Sequence, residues 1–259
     1  MKKLMFAAAA MAAGIAMADV TSANIVGYQS QEMVSSTGYN FIIPTFTDVG
    51  AGTATYDLQQ IKLIDAAGDG MTDDIVGYDA DACLTEIDYY WQTVDAAWVD
   101  IQQDGWYNGM MSDELVTDVT LPLGTGLYLY LGTEGAKAQY AGQVYEGEFT
   151  TEVLPLGYSM VGNATPVALD LQQIKLVGAA GDGLSDELVG YDADACLTEE
   201  DYFWQTVDSA LVDIQQDGWY NGMMSDELVT GYTLQPGQGF FLYLGTEGVK
   251  VQFPAPLTK

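Results

Sequence analysis

The chain has 259 residues, 37 of them Asp or Glu against seven Lys, with no His and no Arg, and its formal net charge is −30. The absence of His excludes Ser–His–Asp and Cys–His nucleophile systems and imidazole metal ligands. The excess acid excludes binding to nucleic acid or an anionic lipid surface, because affinity for both is built on Lys and Arg. Apolar residues make up 49% and aromatics 12%, so the sequence is expected to fold despite its charge.

Residues 1–18 read as an export signal. Lys2 and Lys3 form a basic start, residues 4–15 a short apolar run, and Ala16-Met17-Ala18 a small-residue cleavage site. The run is too short for the roughly 20 residues that span a bilayer. Cleavage before Asp19 would leave 241 residues with a net charge near −32, secreted to the outside or the cell surface, with the periplasm as the alternative. No membrane span is expected.

The rest is a duplication. Asp57-Leu58-Gln59-Gln60-Ile61-Lys62-Leu63 recurs 113 residues later as Asp170-Leu171-Gln172-Gln173-Ile174-Lys175-Leu176. At that offset residues 57–135 and 170–248 are identical at 62 of 79 positions. Weaker similarity upstream aligns 38–43 with 157–162. The units therefore run 19–140 and 141–259, without a Pro- or Ser-rich linker at the join, so two domains packed in series with little slack are expected.

Each unit reads as β: runs of Tyr, Phe, Val and Ile alternate with Gly, Asp and Asn clusters. In the first unit the predicted strands are 25–34, 39–46, 75–79, 89–94, 98–102, 126–131 and 137–145. A helical turn or two is predicted after an N-cap at Asp57. The fold class is all-β, mostly antiparallel, as two tandem β-sandwich or small-barrel domains.

The ordered motifs Asn24-Ile25-Val26-Gly27-Tyr28, Gly38-Tyr39-Asn40-Phe41-Ile42, Asp74-Ile75-Val76-Gly77-Tyr78-Asp79, Tyr89-Tyr90-Trp91, Gly105-Trp106-Tyr107 and Gly124-Thr125-Gly126-Leu127-Tyr128 resemble a family of secreted β-domain proteins of verrucomicrobial and related bacteria. The resemblance covers nearly the whole mature chain. It implies a β fold and a location outside the inner membrane, and no activity. The chain departs from the family in Tyr78, where Trp is usual, and in its acidity.

Candidate chemistry starts with the acidic loops. Gly68-Asp69-Gly70-Met71-Thr72-Asp73-Asp74 recurs as Gly181-Asp182-Gly183-Leu184-Ser185-Asp186-Glu187. The string is similar to calcium loops of thrombospondin type 3 and dockerin repeats, and Ca²⁺ wants six to eight oxygens with Gly permitting the wrap. Asp69, Asp73, Asp74, Asp182, Asp186 and Glu187 are thus the candidate metal ligands and calcium the candidate cofactor. Asp79, Asp81, Asp113 and Glu114, with their copies, could add oxygens. As an EF-hand loop from Asp65 the string fails, with Ala67 at position three and Val76 at position twelve. The competing expectation is an acidic turn in which Asp73 or Asp186 caps its own backbone.

Carboxylates also serve glycosidases, yet no motif singles out a pair, and the reading is no enzyme. Trp91, Trp106, Tyr89 and Tyr107, copied as Trp204, Trp219, Tyr202 and Tyr220, are candidates for stacking on sugar rings or for core packing. Cys83 and Cys196 occupy equivalent places, and buried free thiols are expected, with a cross-domain or an intermolecular disulfide as the alternatives. The functional expectation is a structural, self-associating protein of a surface layer, filament or matrix. The alternative is an adhesion module binding a glycan or another surface polymer. One route to assembly is addition of the segment 19–34 to an open sheet edge of a neighbouring molecule, with the end of strand 250–253 as the place left open; pairing at home is the other.

Overall fold

In a computed structural model the described residues are 26–31, 38–48, 54–76, 88–190 and 201–256. The export signal, Cys83, Cys196, Asp79 and Asp81 with their copies, and residues 19–25 lie outside them. The first unit contains β1 (Val26–Gln31), β2 (Gly38–Ile42), β3 (Thr55–Asp57), β4 (Lys62–Ile64), β5 (Asp69–Val76), β6 (Asp88–Gln92), β7 (Gly105–Asn108), β8 (Thr120–Pro122), β9 (Leu127–Leu131) and β10 (Lys137–Gln143). The second repeats the series as β11 (Phe149–Thr150), β12 (Gly157–Gly162), β13 (Leu169–Asp170), β14 (Lys175–Val177), β15 (Asp182–Val189), β16 (Asp201–Gln205), β17 (Gly218–Asn221), β18 (Thr233–Leu234), β19 (Gly239–Leu244) and β20 (Lys250–Phe253).

The sheet order is the same in both units. A five-stranded antiparallel sheet runs β2-β9-β5-β6-β7 in the first and β12-β19-β15-β16-β17 in the second. A three-stranded sheet runs β1-β10-β4 and β11-β20-β14, and a two-stranded ribbon β3-β8 and β13-β18. The protein is all-β and antiparallel, as the strand patterning indicates. A single 3-10 turn, Leu58–Gln60, follows the Asp57 cap, whose side chain accepts from Gln59 N–H, and Leu171–Gln173 repeats it behind Asp170.

One face of the first five-stranded sheet packs on the unit's smaller sheets. Ile42, Ile75, Trp91, Trp106, Leu129 and Leu131 share a core with Leu63, Ala138, Tyr140, Tyr56 and Leu121. Gln59 ties this core to the 3-10 turn: its Nε2 donates to the carbonyls of Trp106 (2.9 Å) and Val116 (2.8 Å), and its Oε1 accepts from Trp106 N–H (3.0 Å). Gln172 makes the same three bonds to Trp219 and Val229. The Leu-Gln-Gln string thus has the same role in both copies.

The opposite face of each sheet carries a second apolar row. Phe41, Tyr128 and Val76 of the first unit belong to the same buried cluster as Met160, Phe241 and Val189 of the second. Phe41 meets Phe241 edge-on at 5.4 Å, and Tyr128 lies 6.2 Å from Phe241. Backbone joins backbone as well. Gly126 N–H donates to the Met160 carbonyl (3.0 Å), and Gly162 N–H to the Gly124 carbonyl (3.1 Å). The units are therefore joined through a core.

Of the two expectations for the N-terminal segment, pairing at home is what its described residues 26–31 show. β1 pairs at home with β10 over six positions, from Val26 opposite Gln143 to Gln31 opposite Ala138. β20 is the central strand of its sheet, held by β11 on one side and β14 on the other. β20 thus has partners on both sides, while β1 and β4 are the outer strands of their sheet. Among the described residues no helix is long and apolar enough to cross a membrane.

Candidate functional site

The acidic strings form the first half of β5 and β15, and each opens a bulge. Asp69 pairs with Gln92 and Asp74 with Tyr90, so four residues of β5 oppose one of β6. Gly70 sits in the left-handed region at φ 78°, and a Cβ there would come within 2.6 Å of Gln92 Cδ. The second glycine of the string is thus fixed by close packing as well as by backbone conformation.

The carboxylates in the bulge bond mostly to their own chain. Asp69 Oδ1 accepts from the N–H groups of Met71 and Thr72 (both 2.9 Å), and Oδ2 from the Thr72 hydroxyl (2.6 Å). Burial opposes ionisation of Asp69, but the bonds from Thr72 and Met71 win and hold it below the usual range; Asp182 repeats this with Ser185 and Leu184. Asp73 is 1% exposed and accepts from Ala67 N–H, Gly132 N–H, Thr133 N–H and the Thr133 hydroxyl. Asp186 accepts from Ala180 N–H and from the Thr246 N–H and hydroxyl. Asp73 does reach backbone near its own turn, and it also clamps a second turn 60 residues away.

Asp74 and Glu187 differ. They alternate to the face opposite Asp73 and Asp186, the one that carries Val76 and Val189 toward the other unit. Asp74 sits in the middle of a row across the sheet, Tyr39–Tyr130–Asp74–Tyr90–Tyr107. The second unit repeats it as Tyr158–Tyr243–Glu187–Phe203–Tyr220. Burial, then the charges of Asp88 and Asp73, push Asp74 up to about 7. Burial and Asp201 raise Glu187. The six candidate ligands are thus divided between two faces. Among the described residues no group of three or more acids or cysteines converges on a point.

Of the two expectations for the tryptophans, sugar stacking or core packing, the structure shows core packing. Trp91 and Trp106 pair edge-on at 5.3 Å, Trp204 and Trp219 at 5.4 Å, and all four are buried. Trp106 Nε1 donates to the Ile61 carbonyl and Trp219 Nε1 to that of Ile174, both at 2.8 Å. Tyr107 and Tyr220 are buried too, each donating its hydroxyl to a backbone carbonyl. Tyr89 and Tyr202 are half-buried.

A surface that the sequence reading missed lies beside the bulge. Three loops meet there. Thr93 N–H donates to the Gly68 carbonyl (2.9 Å) and Met111 N–H to that of Gly70 (2.9 Å). Beneath them Gln92 Nε2 donates to the Ser112 carbonyl (2.8 Å), while its buried Oε1 has no hydrogen-bond partner. Gly181, Gly183, Thr206, Met224, Gln205 and Ser225 repeat every one of these contacts. From these loops large apolar side chains face solvent: Met71, Val94, Trp98, Met110 and Met111, and in the second unit Leu184, Val207, Leu211, Met223 and Met224. Trp98 is 74% exposed and Met110 54%.

Two signals for this surface were present in the sequence. Residues 99–117 and 212–230 are identical at all nineteen positions, so the seventeen differences between 57–135 and 170–248 all fall elsewhere. Ten of the nineteen are exposed in each copy, where packing does not dictate identity. Met111 and Met224 also share a left-handed backbone at φ 51°, which a side chain adopts only at a cost of about 1 kcal/mol. The charge is one-sided: Asp95, Asp100, Asp104, Asp113 and Glu114 are exposed around the apolar groups, and no Lys occurs between Lys62 and Lys137.

Comparison of the chain with family models, curated proteins and solved structures finds no match.

Proposed function

We propose that the chain is a secreted, non-enzymatic structural protein, a subunit of a surface layer, filament or matrix, and that it works by being bivalent. The observation that carries this is the identical run 99–117 and 212–230, exposed at the same ten positions in each unit. Solvent-facing Met, Val and Trp in one patch mark an interaction surface rather than a fold requirement. A body joined through a continuous core holds its two surfaces at a fixed separation. Two contacts per molecule are the fewest that build an open chain.

Contact between two such surfaces brings like charges together, so assembly requires counter-charge. Salt, or a divalent cation such as Ca²⁺ spread over the exposed carboxylates, supplies it. Light scattering from the protein lacking residues 1–18 tests this. Particle mass is expected to stay at one chain in dilute buffer and to grow on adding NaCl or CaCl₂. One chain per particle across all ionic strengths and concentrations would rule out self-assembly.

A further inference from the structure

We infer that each of the two Met-rich surfaces is a docking site for a cationic amphipathic segment of a partner polypeptide. The inference rests on reading the repeated loops as contact surfaces, and it assigns the partner's chemistry. Two features of the surface select that chemistry together. Met71, Met110 and Met111, with Val94 and Trp98, offer an exposed apolar area on loops pinned at Gly68 and Gly70. Met is unbranched and polarisable, and it moulds itself to varied apolar partners. The same segments carry Asp95, Asp100, Asp104, Asp113 and Glu114, all exposed, Asp104 holding the Val94 N–H, and no lysine occurs between Lys62 and Lys137.

A partner that covers the apolar centre must therefore bring positive charge to the rim. A second copy of this chain meets the rim only with counter-ions between the two surfaces, so in dilute buffer a cationic partner is the better complement. A purely basic chain would satisfy the rim and leave the methionines wet. A purely apolar one would bury the methionines and leave the carboxylates without counter-charge. A segment with Lys or Arg on one side and large apolar residues on the other satisfies both, and an amphipathic helix presents them at i, i+3, i+4 and i+7. The second unit repeats the surface through Leu184, Val207, Leu211, Met223 and Met224, with Asp208, Asp213, Asp217, Asp226 and Glu227 on its rim. One molecule would then hold two partner segments.

Calorimetry of the protein lacking residues 1–18 with an 18-residue Leu/Lys amphipathic helix provides the test. A scrambled Leu/Lys peptide of the same composition and a Leu/Glu helix serve as controls. The expected result is two sites per chain for the Leu/Lys helix, at least tenfold weaker binding of the scrambled peptide, and none of the Leu/Glu helix. Met110→Glu with Met111→Glu should leave one site, and adding Met223→Glu with Met224→Glu should leave none. These substitutions add negative charge, so binding by charge alone would strengthen where docking weakens. Equal binding of the scrambled peptide, or unchanged or tighter binding in the variants, would overturn the inference. Scattering from the protein alone reports separately on self-assembly, so either idea can fail without the other.

Discussion

Phe41 of the first unit lies edge-on to Phe241 of the second, ring centroids 5.4 Å apart and planes at 76°. Phe241 occupies in its own sheet the place of Tyr128, so each unit presents an aromatic at this position and the two meet in one cluster with Phe41. Truncating Phe41 to Ala removes a buried ring at the junction, and losses of about 3–5 kcal/mol follow such changes. Because the junction is a core, melting is expected as a single calorimetric transition in both wild type and Phe41→Ala, the variant's at a lower temperature. Two separate transitions in the wild-type protein would show that the units unfold independently.

The Gln172 side chain bridges Trp219 and Val229 to the 3-10 turn. Gln172→Leu keeps the volume and leaves the Trp219 N–H and the Val229 carbonyl without those bonds. A loss of about 2–4 kcal/mol is expected. Gln59→Leu should behave alike. Denaturant melts followed by tryptophan fluorescence measure both, and a neutral effect in either would show that water replaces the amide.

Acid and base act in opposite directions on the two kinds of carboxyl. Asp74, raised to about 7, favours the protonated form in the folded state. Its contribution is fully present below the unfolded carboxyl range near pH 4 and is lost as pH rises through about 7. Glu187 acts in the same direction. Asp69 and Asp182 are lowered, so their contribution is present above pH 4 and lost on acidification below it. The protein is expected to melt higher at pH 5 than at pH 8. Asp74→Asn should raise the melting temperature at pH 8, by roughly 2–4 °C, and narrow that difference. A wild-type melting temperature that climbs from pH 5 to pH 8 contradicts the assignment.

Met111 holds a left-handed backbone in an exposed loop, and glycine releases that strain. Met111→Gly is expected to leave stability unchanged or raise it by up to about 1 kcal/mol, while weakening whatever contact the surface makes. Thermal melts and scattering, run on the same sample, read the two effects. A variant that loses stability and keeps full assembly would make Met111 a structural residue.

Much of the architecture was legible in the sequence because the duplication is long and the strand signals are aromatic. Gly126-Leu127-Tyr128-Leu129-Tyr130-Leu131 became β9 within one residue, and the Asp57 cap preceded a helical turn as expected. The acidic string, punctuated by Gly68 and Gly70, reads as a calcium loop or, in competition, an acidic turn. Both glycines have positive φ, yet the backbone continues as a bulged strand. Residues 98–102 read as a strand from Trp98 and Ile101. Instead Ala96 and Ala97 both donate to the Thr93 carbonyl, Val94 N–H is held by Asp104, and the segment is turn and bend. The junction was hidden as well. The strands carrying Phe41 and Tyr128 are predicted without an assignment of faces, and only the second unit's sheet explains why that side is aromatic.

The contact surface was missed for a different reason. Its apolar residues are scattered over three loops with no periodicity, and only the loop bonds to Gly68 and Gly70 bring Met71, Val94 and Met111 together.

Bivalence is the central claim, and particle mass measured by sedimentation in high salt tests it most directly. Wild type should give a distribution of chains that lengthens with concentration. Replacing Met223 and Met224 by Glu should stop growth at dimers, each joined through the intact first-unit surface, and replacing all four methionines should leave monomers. Assembly that proceeds undiminished in the four-residue variant would contradict the account.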